Sequence, residues 1–370
     1  MGPATGALTC RIPAVSLYTM RRLTRPLQHE PHMRLLYAIP LAITAATVAF
    51  APTYTITHRT VLGADGGWDY LAVDTGAHRL YISRGTHVQV VNTDTDSLVG
   101  DIPNTLGVHG IALKTAAHRG YTSNGRDSTV TVFDTRTLMP LASIHVPARN
   151  PDAIFYDAAS NRVFTFNGGS ANTTAIDADK FAVVGSIALG GKPEFATSDG
   201  NGTIYVNVED THEIVEFDAK ALTVKHRWNL DGCEDPTGQA IDRAHKRLFA
   251  VCGNKVMVVI NSTTGAVVAT VPIGEGSDGV MFDEARQLAI SANGEGSMTF
   301  VHEDSPDKYS VTQTLPTMSR ARTLTIDQRT HKLYTVSAEF GATPAPTTAV
   351  PRPRPAMVAN SFTLLTIAAP

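Results

Sequence analysis

A similar segment recurs seven times along this chain of 370 residues. Each copy carries an aromatic or other apolar residue at the start of a short strand-like stretch, and successive copies are 40, 43, 41, 44, 40 and 45 residues apart. These marker residues are Tyr81, Tyr121, Phe164, Tyr205, Phe249, Ala289 and Tyr334. Repeats of about 42 residues that hold several short strands are typical of a β-propeller, in which each repeat forms one blade of a ring.

The second repeat shows how one blade is built. Residues 110–113, 121–124, 129–133 and 140–144 are short runs rich in alternating apolar and β-branched side chains, and Gly, Asn and Asp clusters separate them. Such runs predict strands joined by tight turns. We therefore expect an all-β fold with seven blades of four antiparallel strands.

The last repeat predicts how the ring closes. It offers strands near residues 323–326, 334–337 and 361–367 but no fourth strand, whereas residues 54–62 near the other end alternate like a strand. This N-terminal strand can complete the last blade and remove an exposed sheet edge. Residues 53–370 are therefore predicted to form a single seven-bladed propeller.

The turns between strands carry polar residues that repeat with the same period. One set follows the third strand of a blade and is expected to bond the turn backbone, as short polar side chains do. This set is Asn92, Asp134, Asp177, Asp218, Asn261 and Glu303. A second set lies between the first two strands, on the opposite face from the channel mouth, and is expected to be solvated. That set is His78, His118, His245 and His331.

Residues 1–52 are predicted to be a leader. Residues 35–51 form a long apolar run directly after Met33 and Arg34, as in a signal peptide with an internal start. Residues 1–32 resemble an over-extended gene start or a long n-region. Pro52 disfavours cleavage directly after Ala51, so cleavage slightly earlier, or retention as an anchor, is the alternative. We expect export to the periplasm or the exterior, with no stable membrane span afterwards.

Cysteine usage agrees with export. Loss of Cys10 with the leader leaves Cys233 and Cys252, both in the fifth repeat and both predicted on one rim of the ring. An even pair in an oxidising compartment predicts a disulfide, with two independent thiols as the alternative.

Three second strands carry a more specific pattern. Residues 205–208 read Tyr-Val-Asn-Val, residues 121–124 read Tyr-Thr-Ser-Asn, and residues 81–84 read Tyr-Ile-Ser-Arg. The chain thereby resembles the YVTN-repeat, YncE-like family of bacterial seven-bladed propellers over roughly residues 54–370. The resemblance implies an exported propeller and does not specify an activity.

Loops that lead into the innermost strands share one face around the central channel and carry the candidate ligand-binding residues. These funnel residues are Trp68, Asp69, His109, Asp152, Glu194, Asp235, Asp278, Arg320 and Arg322. Carboxylates suit a divalent metal, and an imidazole extends the choice to transition metals, so Asp69, His109 and Glu194 are the candidate metal ligands. The alternative is that these acids cap their own turns in solvent.

A proline-rich insertion at residues 342–360 interrupts the last blade on this same face. Its five prolines favour an extended segment. We expect Arg352 and Arg354 to form a lid that reaches over the funnel; the alternative is an unattached surface loop.

Composition and motifs leave two functions open. With 31 Lys plus Arg against 34 Asp plus Glu, and no basic run, nucleic acid is not an expected partner. No nucleophile elbow or other catalytic motif is present, which favours a binding scaffold for a protein, peptide or glycan over an enzyme. The alternative is a metal-dependent hydrolase or lyase, like lactonase-type propellers, that uses the acidic and histidine ring. No cofactor beyond a possible divalent metal is indicated, and ring closure predicts a monomer.

Overall fold

The computed structural model describes residues 53–370 except for residues 65, 349 and 352, together with Gly2. The predicted leader, apart from Gly2, therefore lies outside the described residues, as do Cys10 and the lid residue Arg352. Among the residues that are described, no helix has the length and apolarity that a membrane crossing requires.

The described chain forms seven four-stranded antiparallel sheets, so the predicted propeller is confirmed. Blade 1 contains β2 (Leu71–Asp74), β3 (Arg79–Ser83), β4 (Val88–Asn92) and β5 (Leu98–Ile102). Blade 2 contains β6 (Val108–Lys114), β7 (Arg119–Asn124), β8 (Thr129–Asp134) and β9 (Pro140–His145). Blade 3 contains β10 (Pro151–Asp157), β11 (Arg162–Asn167), β12 (Asn172–Asp177) and β13 (Ala182–Ala188). Blade 4 contains β14 (Pro193–Ser198), β15 (Thr203–Val208), β16 (Glu213–Asp218) and β17 (Thr223–Asn229).

The remaining blades complete the ring. Blade 5 contains β18 (Pro236–Asp242), β19 (Arg247–Cys252), β20 (Val256–Asn261) and β21 (Val267–Pro272). Blade 6 contains β22 (Ser277–Asp283), β23 (Leu288–Asn293), β24 (Ser297–Ser305) and β25 (Lys308–Pro316). Blade 7 contains β26 (Leu324–Asp327), β27 (Lys332–Ser337), β28 (Thr363–Ala368) and β1 (Thr55–Val61). The first strands β2, β6, β10, β14, β18, β22 and β26 contact one another in that order, and β26 contacts β2, so they line the central channel of a closed ring.

Closure by the N-terminal strand is as predicted. β1 pairs antiparallel with β28, from Thr55 opposite Ala368 to Val61 opposite Thr363. Tyr54, just before β1, is fully buried and stacks on Phe300 of blade 6 with ring centroids 4.5 Å apart. The closing strand therefore anchors across the seam between blades 6 and 7.

The marker residues of the repeat hold neighbouring blades together. They lie on the second strands and are buried, and seven apolar clusters fill the interior. The Tyr81, Tyr121 and Tyr205 hydroxyls donate to backbone carbonyl oxygens 54 to 57 residues further along the chain, at distances of 3.4, 2.6 and 3.2 Å. Each acceptor directly follows the polar turn residue of another blade. An aromatic body for the interior and a hydroxyl for a buried backbone group explain why tyrosine recurs.

Five of the six predicted turn residues act as expected. For example, Asp134 Oδ1 accepts the backbone N–H groups of Arg136 and Thr137 at 2.8 and 3.0 Å, and the same pattern recurs at Asn92, Asp177, Asp218 and Asn261. For Glu303 the prediction is wrong. Its side chain is buried and does not bond its own turn; among the described residues neither carboxylate oxygen accepts a well-aligned hydrogen bond, and Oε1 lies 3.1 Å from His245 Nδ1.

The disulfide prediction is confirmed. Cys233 and Cys252 are joined, with Cα atoms 5.3 Å apart. Cys252 ends β19, and Cys233 lies in the loop that leads into β18, so the bond joins two segments on the rim that carries the funnel residues. Both residues are buried.

Candidate functional site

Seven side chains occupy equivalent positions around the mouth of the channel. In blades 2 to 6 the first residue of the innermost strand pairs with the end of the second strand, and the next residue faces the channel. These first residues are Val108, Pro151, Pro193, Pro236 and Ser277. Blades 1 and 7 supply the residue two places before Leu71 and Leu324. The channel residues, from blade 1 to blade 7, are Asp69, His109, Asp152, Glu194, Thr237, Asp278 and Arg322.

Asp235 does not occupy the channel position of blade 5. It is exposed, has φ of 47° and accepts no channel contact; its own N–H donates to His212 Nδ1 at 3.0 Å. Thr237 stands in the channel position instead, and its hydroxyl donates to the Ser277 carbonyl at 3.0 Å. The prediction was two residues out of register because the blade 5 loop differs in length from its neighbours.

His109 joins two of the acids. Its Nδ1–H donates to Asp69 Oδ2 at 2.7 Å, and Asp152 Oδ1 lies 3.5 Å from the same nitrogen. Arg322 completes the chain of charges, because its guanidinium lies 3.6 Å from Asp69 Oδ1 and 3.3 Å from Asp278 Oδ2. Blades 1, 2, 3, 6 and 7 thus contribute to one network.

Glu194 belongs to the same ring but pairs differently. Lys192 Nζ lies 2.6 Å from Glu194 Oε1 and also bonds the Glu209 carboxylate. Sequence reasoning missed Lys192 as a site residue. The sequence feature that could have identified Lys192 is its position two residues before the channel residue Glu194, in the same entrance loop.

The channel has an aromatic floor below these side chains. Tyr70 and Phe195 follow Asp69 and Glu194, and their ring centroids are 5.4 Å apart. The matching positions in blades 2, 5 and 6 are Gly110, Gly238 and Gly279. A Cβ on Gly238 would meet the backbone of blade 6 at 2.9 Å, so these glycines allow the close approach of strands. We call the floored site formed by Asp69, His109, Asp152, Glu194, Asp278 and Arg322 the acidic cup.

The acidic cup contains negative charge that its own cations do not fully balance. Four carboxylates face the fixed cations Arg322 and Lys192, and Lys192 is shared with Glu209 outside the cup. Burial, reinforced by Asp152, raises the pKa of Glu194 to about 8. Burial, reinforced by Asp69 and opposed by Arg322, raises the pKa of Asp278 to about 6. In both cases burial is the main cause, and the neighbouring carboxylates add to it.

His109 and Tyr70 report the same field. Burial disfavours the imidazolium, but the hydrogen bond to Asp69 and the charges of Asp152 and Glu194 outweigh it, so the pKa of His109 is raised. Burial, together with four cup acids, raises the pKa of the Tyr70 hydroxyl well above its usual value. A cation that enters the cup is therefore favoured electrostatically, and an anion is not.

A second feature adjoins the cup. A groove of about 750 Å³ runs between the loop before β2 and the base of the proline-rich insertion. Its lining residues include Trp68, Arg320, Arg322, Phe340, Arg354 and Met357. Arg320 lies over the Phe340 ring at 4.0 Å, and Trp68 packs 6.1 Å from that ring. The structure thus brings Trp68, Arg320 and Arg354 together in what we call the aromatic groove, beside the cup.

The residues that could hold a metal differ slightly from those predicted. Donor atoms of Asp69, His109 and Asp152 lie within 4.8 Å of one another, with Asp152 in the place expected for Glu194. Whether a metal binds there remains a prediction.

Comparison with known proteins shows the fold alone. No protein-family model matches the chain, and no curated protein matches it significantly. A chain in the crystal structure of the mitotic checkpoint complex superposes on it with a TM-score of 0.67 at 14% identity, covering 83% of this chain and 95% of that chain. Because 1826 chains of solved structures match significantly, the fold is widely shared and does not by itself select a function. The class of protein that the comparison shows is therefore a seven-bladed β-propeller.

Proposed function

We propose that this protein is an exported scaffold that binds a protein or peptide ligand on its funnel face, with a basic side chain of the ligand seated in the acidic cup. The observation that carries the proposal is the cup itself, in which carboxylates from four blades converge on one floored site. Burial, reinforced by the neighbouring acids, raises the pKa values of Asp152, Glu194 and Asp278, and the four carboxylates outnumber the fixed cations Arg322 and Lys192 beside them.

A lysine ammonium or arginine guanidinium would supply the missing charge. Charge-assisted hydrogen bonds to buried carboxylates are about twice as strong as neutral ones. The cup is also floored by the packed rings of Tyr70 and Phe195, whose apolar surface excludes water and so strengthens the attraction between the carboxylates and a cation. Binding would release the protons that Glu194 and Asp278 retain, so affinity should fall as the pH is lowered below their pKa values of about 8 and about 6.

The aromatic groove extends the binding surface beyond a single side chain. Its apolar rings and exposed arginines suit a neighbouring apolar or acidic residue of the same ligand. In this proposal Arg354 is part of the binding surface at the base of the lid.

Export and family membership belong to the same proposal. The buried disulfide supports an oxidising compartment, and the signal-like segment after Met33 supports delivery to it. Tyrosine markers that bridge the blades support assignment to the YVTN-repeat, YncE-like propellers.

A pair of labelled peptides tests the binding proposal. Wild-type protein should bind a fluorescent Gly-Ser-Lys-Lys-Ser-Gly peptide better than its acetyl-lysine twin, which keeps the backbone and the alkyl stem but replaces the charge with a neutral amide. Combined Asp152→Asn and Glu194→Gln substitutions should weaken binding at least about ten-fold, the loss expected for about 1.4 kcal/mol. Asp94→Asn, which alters an exposed acid paired with His78 on the opposite face, is the matched control. Equal binding of both peptides by the wild type would refute the cup as a cation site.

A metal-dependent hydrolase or lyase is the second candidate. The grouping of Asp69, His109 and Asp152 favours it, since a divalent ion there could polarise a substrate oxygen above the cup floor. Elemental analysis of protein prepared without chelator tests it. A stoichiometric metal that is lost in Asp69→Asn and His109→Gln variants would favour the enzyme, and metal-free protein with intact peptide binding would favour the scaffold.

A further inference from the structure

A second cluster of ligand-type side chains lies on the opposite face from the acidic cup. Asp242 ends β18, His245 lies in the turn that follows, and Glu303 lies on β24 of the neighbouring blade. Because β18 has seven residues at about 3.3 Å each, this cluster is about 20 Å from the channel mouth. The two sites are therefore physically separate.

The three side chains converge across the seam between blades 5 and 6. His245 Nδ1 lies 2.7 Å from Asp242 Oδ2 and 3.1 Å from Glu303 Oε1. All three donor atoms lie within 4.8 Å of one another. Tetrahedral zinc ligands about 2.1 Å from the metal are about 3.4 Å apart, so small side-chain rotations would reach that geometry.

Glu303 provides the observation that points to a ligand. Its side chain is only 1% exposed. Among the described residues neither carboxylate oxygen accepts a well-aligned hydrogen bond, and Oε1 faces His245 Nδ1 at 3.1 Å only as an ion pair. Other members of its repeat position have a shorter Asn or Asp that bonds its own turn, whereas Glu303 reaches into the seam instead. A buried carboxylate that accepts no well-aligned hydrogen bond is costly unless a cation or a proton compensates it.

The nearby arginine does not satisfy this carboxylate. Arg247 directs Nε and Nη1 to the carbonyl oxygens of Pro306 and His245, both at 2.7 Å, and Nη2 to Asp307 at 2.7 Å. Asp242 accepts the backbone N–H groups of Ala244 and His245 at 2.9 and 3.3 Å, and its Oδ2 also faces the His245 imidazole. The cluster therefore combines two buried acids with one partly exposed imidazole through which solvent has access.

We propose that Asp242, His245 and Glu303 form a binding site for a divalent transition metal, with zinc as the representative ion, that cross-links blades 5 and 6. One imidazole nitrogen and two carboxylate oxygens suit such an ion better than calcium, which takes six to eight oxygen ligands. A divalent ion also neutralises the two carboxylates. Water would complete the coordination from the exposed side of His245.

Zinc titration of the metal-stripped full-length protein tests the proposal. The experiment uses the His109→Gln background, which disables the metal-capable residues of the acidic cup, and measures zinc by competition with a chromophoric chelator. One zinc ion per chain should bind, and Glu303→Gln and His245→Gln should each weaken binding at least about ten-fold. Bound zinc should also raise Tm in this background but not after Glu303→Gln.

A histidine in the next seam provides the matched control. His331 Nδ1 lies 2.8 Å from the fully buried Asp283 on the same face, but the described residues offer that pair no third donor. His331→Gln should leave zinc binding unchanged.

Unchanged zinc binding after Glu303→Gln would overturn the proposal. The absence of stoichiometric zinc in the His109→Gln protein would also overturn it, and would indicate that Asp242 and Glu303 share a proton instead of binding a metal. Cobalt absorption in the His109→Gln protein, which needs no substitution in the cluster, should show a low-symmetry four- or five-coordinate ion; its absence would also refute the site.

Discussion

Replacement of Tyr54 tests how strongly the N-terminal strand closes the ring. Tyr54 is fully buried, stacks on Phe300 at 4.5 Å, and its hydroxyl accepts a hydrogen bond from Arg286 at 2.8 Å. Its backbone is also held at both ends by Gln313, which accepts from the Tyr54 N–H at 2.9 Å and donates to the Tyr54 carbonyl at 2.7 Å. The strand is therefore anchored by one aromatic side chain and one amide.

The expected loss of stability follows from these contacts. Tyr54→Phe removes only the hydroxyl and should lower the free energy of unfolding by about 1 kcal/mol, the usual net contribution of one hydrogen bond. Tyr54→Ala also removes the ring and leaves a cavity against Phe300, so it should lower that free energy by about 3–5 kcal/mol. The stacked pair accounts for about 1 kcal/mol of this loss.

Urea unfolding followed by circular dichroism measures both variants. Thr55→Ala is the matched control, because Thr55 lies next along the same strand with an exposed side chain and should change stability by less than about 0.5 kcal/mol. If Tyr54→Ala lost less than about 1 kcal/mol, the ring would not depend on this anchor, and the argument from burial would be refuted.

Three further predictions concern the rim, the cup and the strand contacts. Reduction of the disulfide, whose cysteines are 19 residues apart, should lower the free energy of unfolding by about 3 kcal/mol, and an unchanged urea midpoint would contradict this. Asp69→Asn should lower the pKa of His109, as measured by NMR titration. Because folding raises this pKa, protonated His109 stabilises the folded protein below about pH 6.5, and this contribution disappears as the pH rises through the pKa of the folded state. Gly238→Ala should destabilise by about 1–3 kcal/mol because its Cβ meets backbone at 2.9 Å, whereas Gly67→Ala, with nothing within 4 Å, should not.

The repeat was readable because its chemistry is local. The markers recur at nearly constant spacing, and each turn residue bonds backbone groups two and three places along, so one repeat predicts the others. Closure by residues 54–62 was also predictable, since one blade lacked a strand and one strand lacked a blade. The disulfide followed from two cysteines that the repeat register places on one rim.

Individual site residues were less predictable where loops change length. Asp235 matched the composition of the channel position, but the register of strand pairing places Thr237 there. Lys192 was overlooked because the sequence does not show that its long side chain turns back onto Glu194, two residues later, to pair with it across 2.6 Å. A shift of two residues decides which side chain faces the channel, and sequence alone does not resolve it.

The sequence by itself determined the number of blades, their strand order and the way the ring closes, because these depend on periodic local patterns. Only the tertiary structure decided which side chains meet across the ring. His245 and Glu303 were each expected to occupy an ordinary turn, yet they lie 3.1 Å apart because two different blades meet at one seam. Burial and charge at such a seam are properties of the assembled ring, and no single repeat encodes them.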